Sequence, residues 1–167
     1  MARAATVLIQ PKYFTAVDNE RHHSTSGRIL ALDFGRVHTG AAVSDPTGTI
    51  VRPLKPVENA ATPEGLEAIA RISREEKIAR VIVGMPVSLS GERGRQALET
   101  EEFIAALAEV LPVPVSYWDE RFTSKLAAAK GRHSDSDSHS LAACCLLEDY
   151  LVSNEFLRWL DAADADE

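Results

Sequence analysis

The chain has 167 residues, 45% hydrophobic and 26% charged, with a net charge of −7 at neutral pH. That length suits one domain, the composition excludes wholesale disorder, and no apolar run approaches the roughly 20 residues that cross a bilayer. The acidic balance opposes non-specific coating of nucleic acid but leaves room for a local basic rim, with Arg36, Arg93, Arg95, Arg121, Lys125, Lys130 and Arg132 as candidates.

Residues 1–27 show no sustained periodicity and end in the polar run ERHHSTSG, which reads as a poorly ordered extension. The opening MARAATVLIQ is too short for a secretory apolar core, and the expected location is the cytoplasm. His22 and His23, in a Ser/Thr-rich segment, read as solvated. The domain is expected over 28–153, with a C-terminal tail over 154–167. Arg28 to Phe34 is an apolar run closed by Gly35, the pattern of a buried strand. VHTGAAVS and TIVRPL follow at hairpin spacing across the turn-forming Asp45, Pro46, Thr47 and Gly48, which predicts an antiparallel meander.

Helix and strand then alternate. Thr62 is placed to cap a helix with Pro63 at its first position and Leu66, Ile69 and Ala70 on its inner face. ARVIVG reads as a second buried strand, ending at Gly84. A long helix from about Gly94 to Leu111 carries Ala97, Ile104, Leu107, Ala108 and Leu111 on one side and stops at Pro112 and Pro114. PVSYWDE is a further strand, TSKLAAAK a short helix, GRHSDSDS a loop and LAACCLLEDYL a helix apolar nearly all round, expected to be buried. Within it, Cys144 and Cys145 are expected as two buried, reduced thiols, because adjacent helical residues diverge and suit neither a disulfide nor a zinc pair. The expected architecture is α/β: a five-stranded mixed sheet, antiparallel meander then parallel strands, flanked by helices. Right-handed crossovers bring the ends of the first, fourth and fifth strands together, where ligands bind in such sheets.

Three clusters carry chemistry. Asp33 ends an apolar strand, where a carboxylate is costly unless paired, hydrogen-bonded or metal-bound. Asp119 and Glu120 end another strand, and alternation sends only one of them toward the crevice. Asp135, Asp137 and His139 precede the buried helix among capping serines. If they converge, two carboxylates and a third ligand can hold Mg²⁺ or Mn²⁺ ions about 3.5–4 Å apart and cleave a phosphodiester.

DFGRVHTGAAVSDPTG, GMPVSLSGERGRQA, DERFTS and AACCLLEDYL occur in the order and spacing of the YqgF/RuvX family, which this chain resembles from about Arg28 to Leu151. The resemblance implies a ribonuclease H-like fold related to the Holliday-junction resolvase RuvC, and a nuclease associated with maturation of the 5′ end of 16S ribosomal RNA. It places the first catalytic carboxylate at Asp33 and the second at Glu120. Two positions depart from the family pattern: His38 stands where the family usually has Arg, and His139 where it usually has Asp. His139 can still ligate a metal as neutral imidazole, with Asp137 in reserve, although hard Mg²⁺ prefers oxygen.

The reading is therefore a divalent-metal-dependent nuclease, Mg²⁺ or Mn²⁺, with Asp33, Glu120, His139 and Asp137 as metal ligands and the first three catalytic. Arg121, Lys125, Arg93 and His38 are the substrate-binding candidates. The expected partner is nucleic acid, pre-16S rRNA ahead of a DNA junction, or a ribosomal precursor; no membrane is involved, and the chain is a monomer or homodimer. The alternative is a degenerate member that binds RNA without cutting it. A sugar kinase or actin-like ATPase needs two such domains, and the chain has room for one.

Overall fold

In the computed structural model, residues 27–86, 94–119 and 136–164 are described, with the backbone alone at 119, 136–137 and 155–164. Five strands make one sheet: β1 (Arg28–Asp33), β2 (His38–Ser44), β3 (Val51–Glu58), β4 (Ile78–Met85) and β5 (Val115–Asp119), in the order β3-β2-β1-β4-β5. The first three pair antiparallel and β1, β4 and β5 pair parallel, the mixed sheet that the sequence predicts.

Strand alternation splits the apolar side chains between two cores. Leu30, Leu32, Val81 and Val83 face α1 (Pro63–Glu75) and α2 (Arg95–Val110), where Ile69, Phe103 and Leu107 meet them. Ile29, Ala31, Ala42 and Ile82 face α3 (Ser136–Asp164), packing on Ala142, Ala143, Leu146 and Leu147. Removing these apolar surfaces from water is the main stabilising term, about 1.5–3 kcal/mol for each large side chain.

Local signals behave as read. Thr62 Oγ1 accepts from the Gly65 N–H at 3.2 Å, capping α1. Around the β2–β3 turn, the Asp45 carboxylate accepts from the N–H groups of Thr47, Thr49 and Ile50 at 3.0, 2.8 and 2.7 Å, and Gly48 takes φ +71°.

Elsewhere the boundaries and faces differ. β3 runs to Glu58 through Pro53 and Pro56, beyond the expected Leu54, because it is an edge strand, where proline is tolerated. In α2 the buried face includes Thr100 and Phe103, which the sequence reading missed, and Phe103 stacks on Phe34 at 4.3 Å between ring centroids. α3 begins earlier, at Ser136, and continues to Asp164 through the segment expected as a tail. It is not buried all round: Leu141 and Val152 are exposed. Cys144 and Cys145 are thiols outside any disulfide, as expected, but only half-buried, correcting the expectation of buried thiols; burial, then Glu148 and Cys145, pushes the Cys144 thiol up to about 11. The expected helix at 123–130 lies outside the described residues.

The turn makes an acid-limb prediction. The hydrogen bond from the Ile50 N–H, then that from the Thr47 hydroxyl, hold the Asp45 carboxyl well below the usual carboxylate range. A depressed folded-state pKa stabilises fully above the unfolded value and is lost as pH falls. Thermal melts of wild type and Asp45→Asn should differ at about pH 5 and converge toward about pH 2. A gap that is constant across that range contradicts the assignment.

Candidate active site

One edge of the sheet gathers the polar residues. β1, β4 and β5 run parallel and end there at Asp33, Met85 and Asp119; antiparallel β2 begins there at His38, opposite Glu58 at the end of β3. Asp33 is 7% exposed, a carboxylate set among buried apolar residues at the strand end. The loop after it is closed by Thr39 Oγ1, which donates to the Gly35 carbonyl at 3.2 Å.

The first turns of α3 cover this edge because Gly40, the cross-strand partner of Asp33, has no side chain. A Cβ at Gly40 would collide with the His139 carbonyl and lie 2.9 Å from the Ser140 nitrogen. Opposite Gly40 the β2–β3 register shifts, Thr39 pairing with Val57 and Ala41 with Leu54. Ser140 Oγ donates to the Leu54 carbonyl at 2.7 Å, fastening the helix to that bulge. Farther along α3, Trp118 of β5 meets Tyr150 edge-on at 5.3 Å, and its indole N–H donates to Asp149 at 3.4 Å. Asp33 and Trp118 thus lie on the α3 face of the sheet.

The structure brings three expected site residues to this edge: Asp33, His38 and His139. The rings of His38 and His139 lie 5.8 Å apart between centroids, tilted by 40°. Asp137 is placed only by its backbone, in the first turn of α3. Glu120, Arg121, Lys125 and Arg93 lie outside the described residues. Among the described residues, no three His, Cys, Asp or Glu side chains are grouped to hold a metal. An open groove of about 700 Å³ flanks the edge, lined by His38, Pro53, Lys55, Glu58, Ser140 and Leu141. A second groove, about 390 Å³ and bordered by Gly27, Thr47 and Glu148, opens at the opposite end of β1.

The basic rim is weaker than its composition suggests. Arg36 and Arg95 both bind Glu99, Arg36 in a bidentate pair at 2.8 and 2.6 Å and Arg95 at 3.0 Å, so the trio carries one net positive charge. Their pairing raises the Arg36 pKa and lowers that of Glu99. The other five rim candidates lie outside the described residues.

Ser140, Lys55 and Glu58 were not singled out by the sequence reading. A glycine inside a strand was the available signal, since such positions mark close backbone approach; its partner, the α3 backbone, is 99 residues away along the chain.

The family profile described as "RuvX: Holliday junction resolvase" matches residues 27–153. A protein of Rubrobacter xylanophilus named "Putative pre-16S rRNA nuclease" is 41% identical over 133 residues, covering 75% of this chain and 92% of the relative. One of the same name from a Sulfurihydrogenibium species is 37% identical over 131 residues, covering 74% and 89%. Among solved structures, T. thermophilus RuvC in complex with a Holliday junction substrate superposes with a TM-score of 0.53 at 13% identity, covering 77% of this chain and 96% of that one. At that identity the match speaks for the fold, which is ribonuclease H-like as the sequence implied.

The helix–sheet contact is testable by itself. Gly40→Ala should cost about 2–4 kcal/mol, because the methyl group meets backbone and α3 has to lift. Denaturant unfolding measures this; a loss below about 0.5 kcal/mol would show that α3 does not rest on Gly40.

Proposed function

Because the chain belongs to the RuvX family, we propose that it is a divalent-metal-dependent nuclease that hydrolyses phosphodiester bonds in 5′-end processing of pre-16S rRNA, acting in the cytoplasm. The observation that carries this reading is the buried Asp33 carboxylate at the end of β1, beneath the first turns of α3 that bear His139. The relatives' names favour an RNA substrate over the DNA junction in the family description, since those relatives align over nearly their whole length.

The donor set suits a divalent cation: the Asp33 carboxylate at the strand end offers anionic oxygen, and imidazole on an adjacent element adds a neutral ligand. Asp33, Glu120 and His139 would hold Mg²⁺ or Mn²⁺, with Asp137 in reserve. Glu120 directly follows β5, and the family resemblance supports it over Asp119 as the second carboxylate. When bound, the metal supplies an activated water and charge to stabilise the leaving oxygen. Asp33 and Glu120 contribute the negative charge that retains it. Arg121, Lys125 and Arg93 position phosphates, and His38 offers an N–H to a phosphate oxygen at the same edge.

A 5′-end precursor fragment of 16S RNA, incubated with Mg²⁺ or Mn²⁺, should be cut by the wild type and at least on the order of 10²-fold more slowly by Asp33→Asn purified identically. A four-way DNA junction in parallel reports the other substrate. RNA bound but uncut by both proteins establishes the degenerate binder. Equal cutting by both removes Asp33 from the mechanism.

A further inference from the structure

We propose that His38 and His139 form a two-imidazole clamp for a borderline divalent cation of the Mn²⁺, Co²⁺ and Zn²⁺ kind, so that this chain prefers such an ion to Mg²⁺. The proposal deepens the nuclease reading, which supplies the ion's purpose, but the binding itself does not depend on catalysis.

The geometry starts from two rigid elements. His38 opens β2, where the ladder to β3 fixes its backbone opposite Glu58. His139 is in the first turn of α3, where the Gly40 approach and the hydrogen bond from Ser140 to Leu54 fix the helix on the sheet. The rings, from residues 101 positions apart, meet at 5.8 Å and 40°. That arrangement is neither the offset stack nor the edge-to-face contact that aromatic pairs prefer. It is close to what a shared metal requires: metal–nitrogen bonds of about 2.0–2.1 Å place the centroids of two ligating rings roughly 4.5–5.5 Å apart. Closing the difference takes an approach of about 0.3–1.3 Å between the rings, within reach of side-chain rotation.

Access and charge fit the same reading. Both rings are half-buried, and His38 lines the open groove, which gives an ion a path in. Glu58 and Lys55 line that groove too and offset one another in charge. What the pair itself adds is nitrogen lone pairs, which set the choice of ion. Imidazole nitrogen suits Mn²⁺, Co²⁺ and Zn²⁺, whereas Mg²⁺ holds to oxygen and water.

The test is a Co²⁺ titration of the untagged full-length protein, followed by ligand-field absorption in the visible range. His22→Ala/His23→Ala serves as a second background, removing the other adjacent pair of histidines. Both backgrounds should bind one Co²⁺ with the same spectrum, and millimolar Mg²⁺ should not displace it. His38→Gln should weaken binding at least about tenfold, as should His139→Gln, since even an outer-shell partner of a metal ligand costs that much. Co²⁺ should also raise the Tm of the wild type but not of His38→Gln, a comparison that holds when the variant is less stable. Unchanged Co²⁺ affinity in His38→Gln, or displacement by equimolar Mg²⁺, overturns the clamp. Failure of RNA cleavage with Co²⁺ binding intact would count against the nuclease reading and leave the clamp standing.

Discussion

Gly40 lacks a side chain, and the position of α3 follows from that. Any Cβ there would strike the backbone at His139 and Ser140, so the helix can lie on the β1–β2 face only over a glycine. The bulge on β3 and the Ser140 hydroxyl then hold the helix in register with the sheet edge. Asp33 is the cross-strand neighbour of Gly40, so the contact that seats the helix also carries His139 to the end of the strand bearing the buried carboxylate. Fold and candidate chemistry share one constraint.

Charge is distributed in a way that favours local over general recognition of nucleic acid. Among the described side chains, Arg28, Arg36, Arg52, Arg71, Arg74 and Arg95 are in ion pairs with carboxylates. Such exposed pairs add little stability, but they neutralise the surface. With a net charge of −7 and these arginines paired, the described guanidinium groups leave little free charge for a phosphate backbone beyond the strand-end edge. There Lys55 lines the groove beside His38, and among the described residues it has no ion pair. An acidic protein can act on RNA if its attraction is confined to one groove.

Much of the fold was legible because its signals are local. The turn at Asp45 to Gly48, the Thr62 cap and the two-residue alternation of β1 and β4 each require only neighbours in sequence, and the family motifs fixed the order of the elements. What escaped was non-local or depended on context. β3 extends through two prolines because it is an edge, which its own residues do not reveal. Phe103 is buried because Phe34, in a loop 69 residues earlier, stacks on it. The length of α3 was hidden by a Ser/Asp-rich start and an acidic end, both of which resemble solvated chain. Asp33 was legible as a costly carboxylate in an apolar strand. The meeting of His38 and His139 was not, because no pattern in either segment points to the other.

If the end of β1 and the start of α3 form one cation site, sub-stoichiometric Mn²⁺ must broaden the NMR signals of both segments in the ¹⁵N-labelled protein. The amide signals around Asp33, His38 and Gly40 should broaden together with those from Ser138 to Ala142, while those bordering the opposite groove, Thr47 to Thr49, stay sharp. Broadening confined to other acidic segments, with the Asp33 and His139 regions both unaffected, would contradict the account.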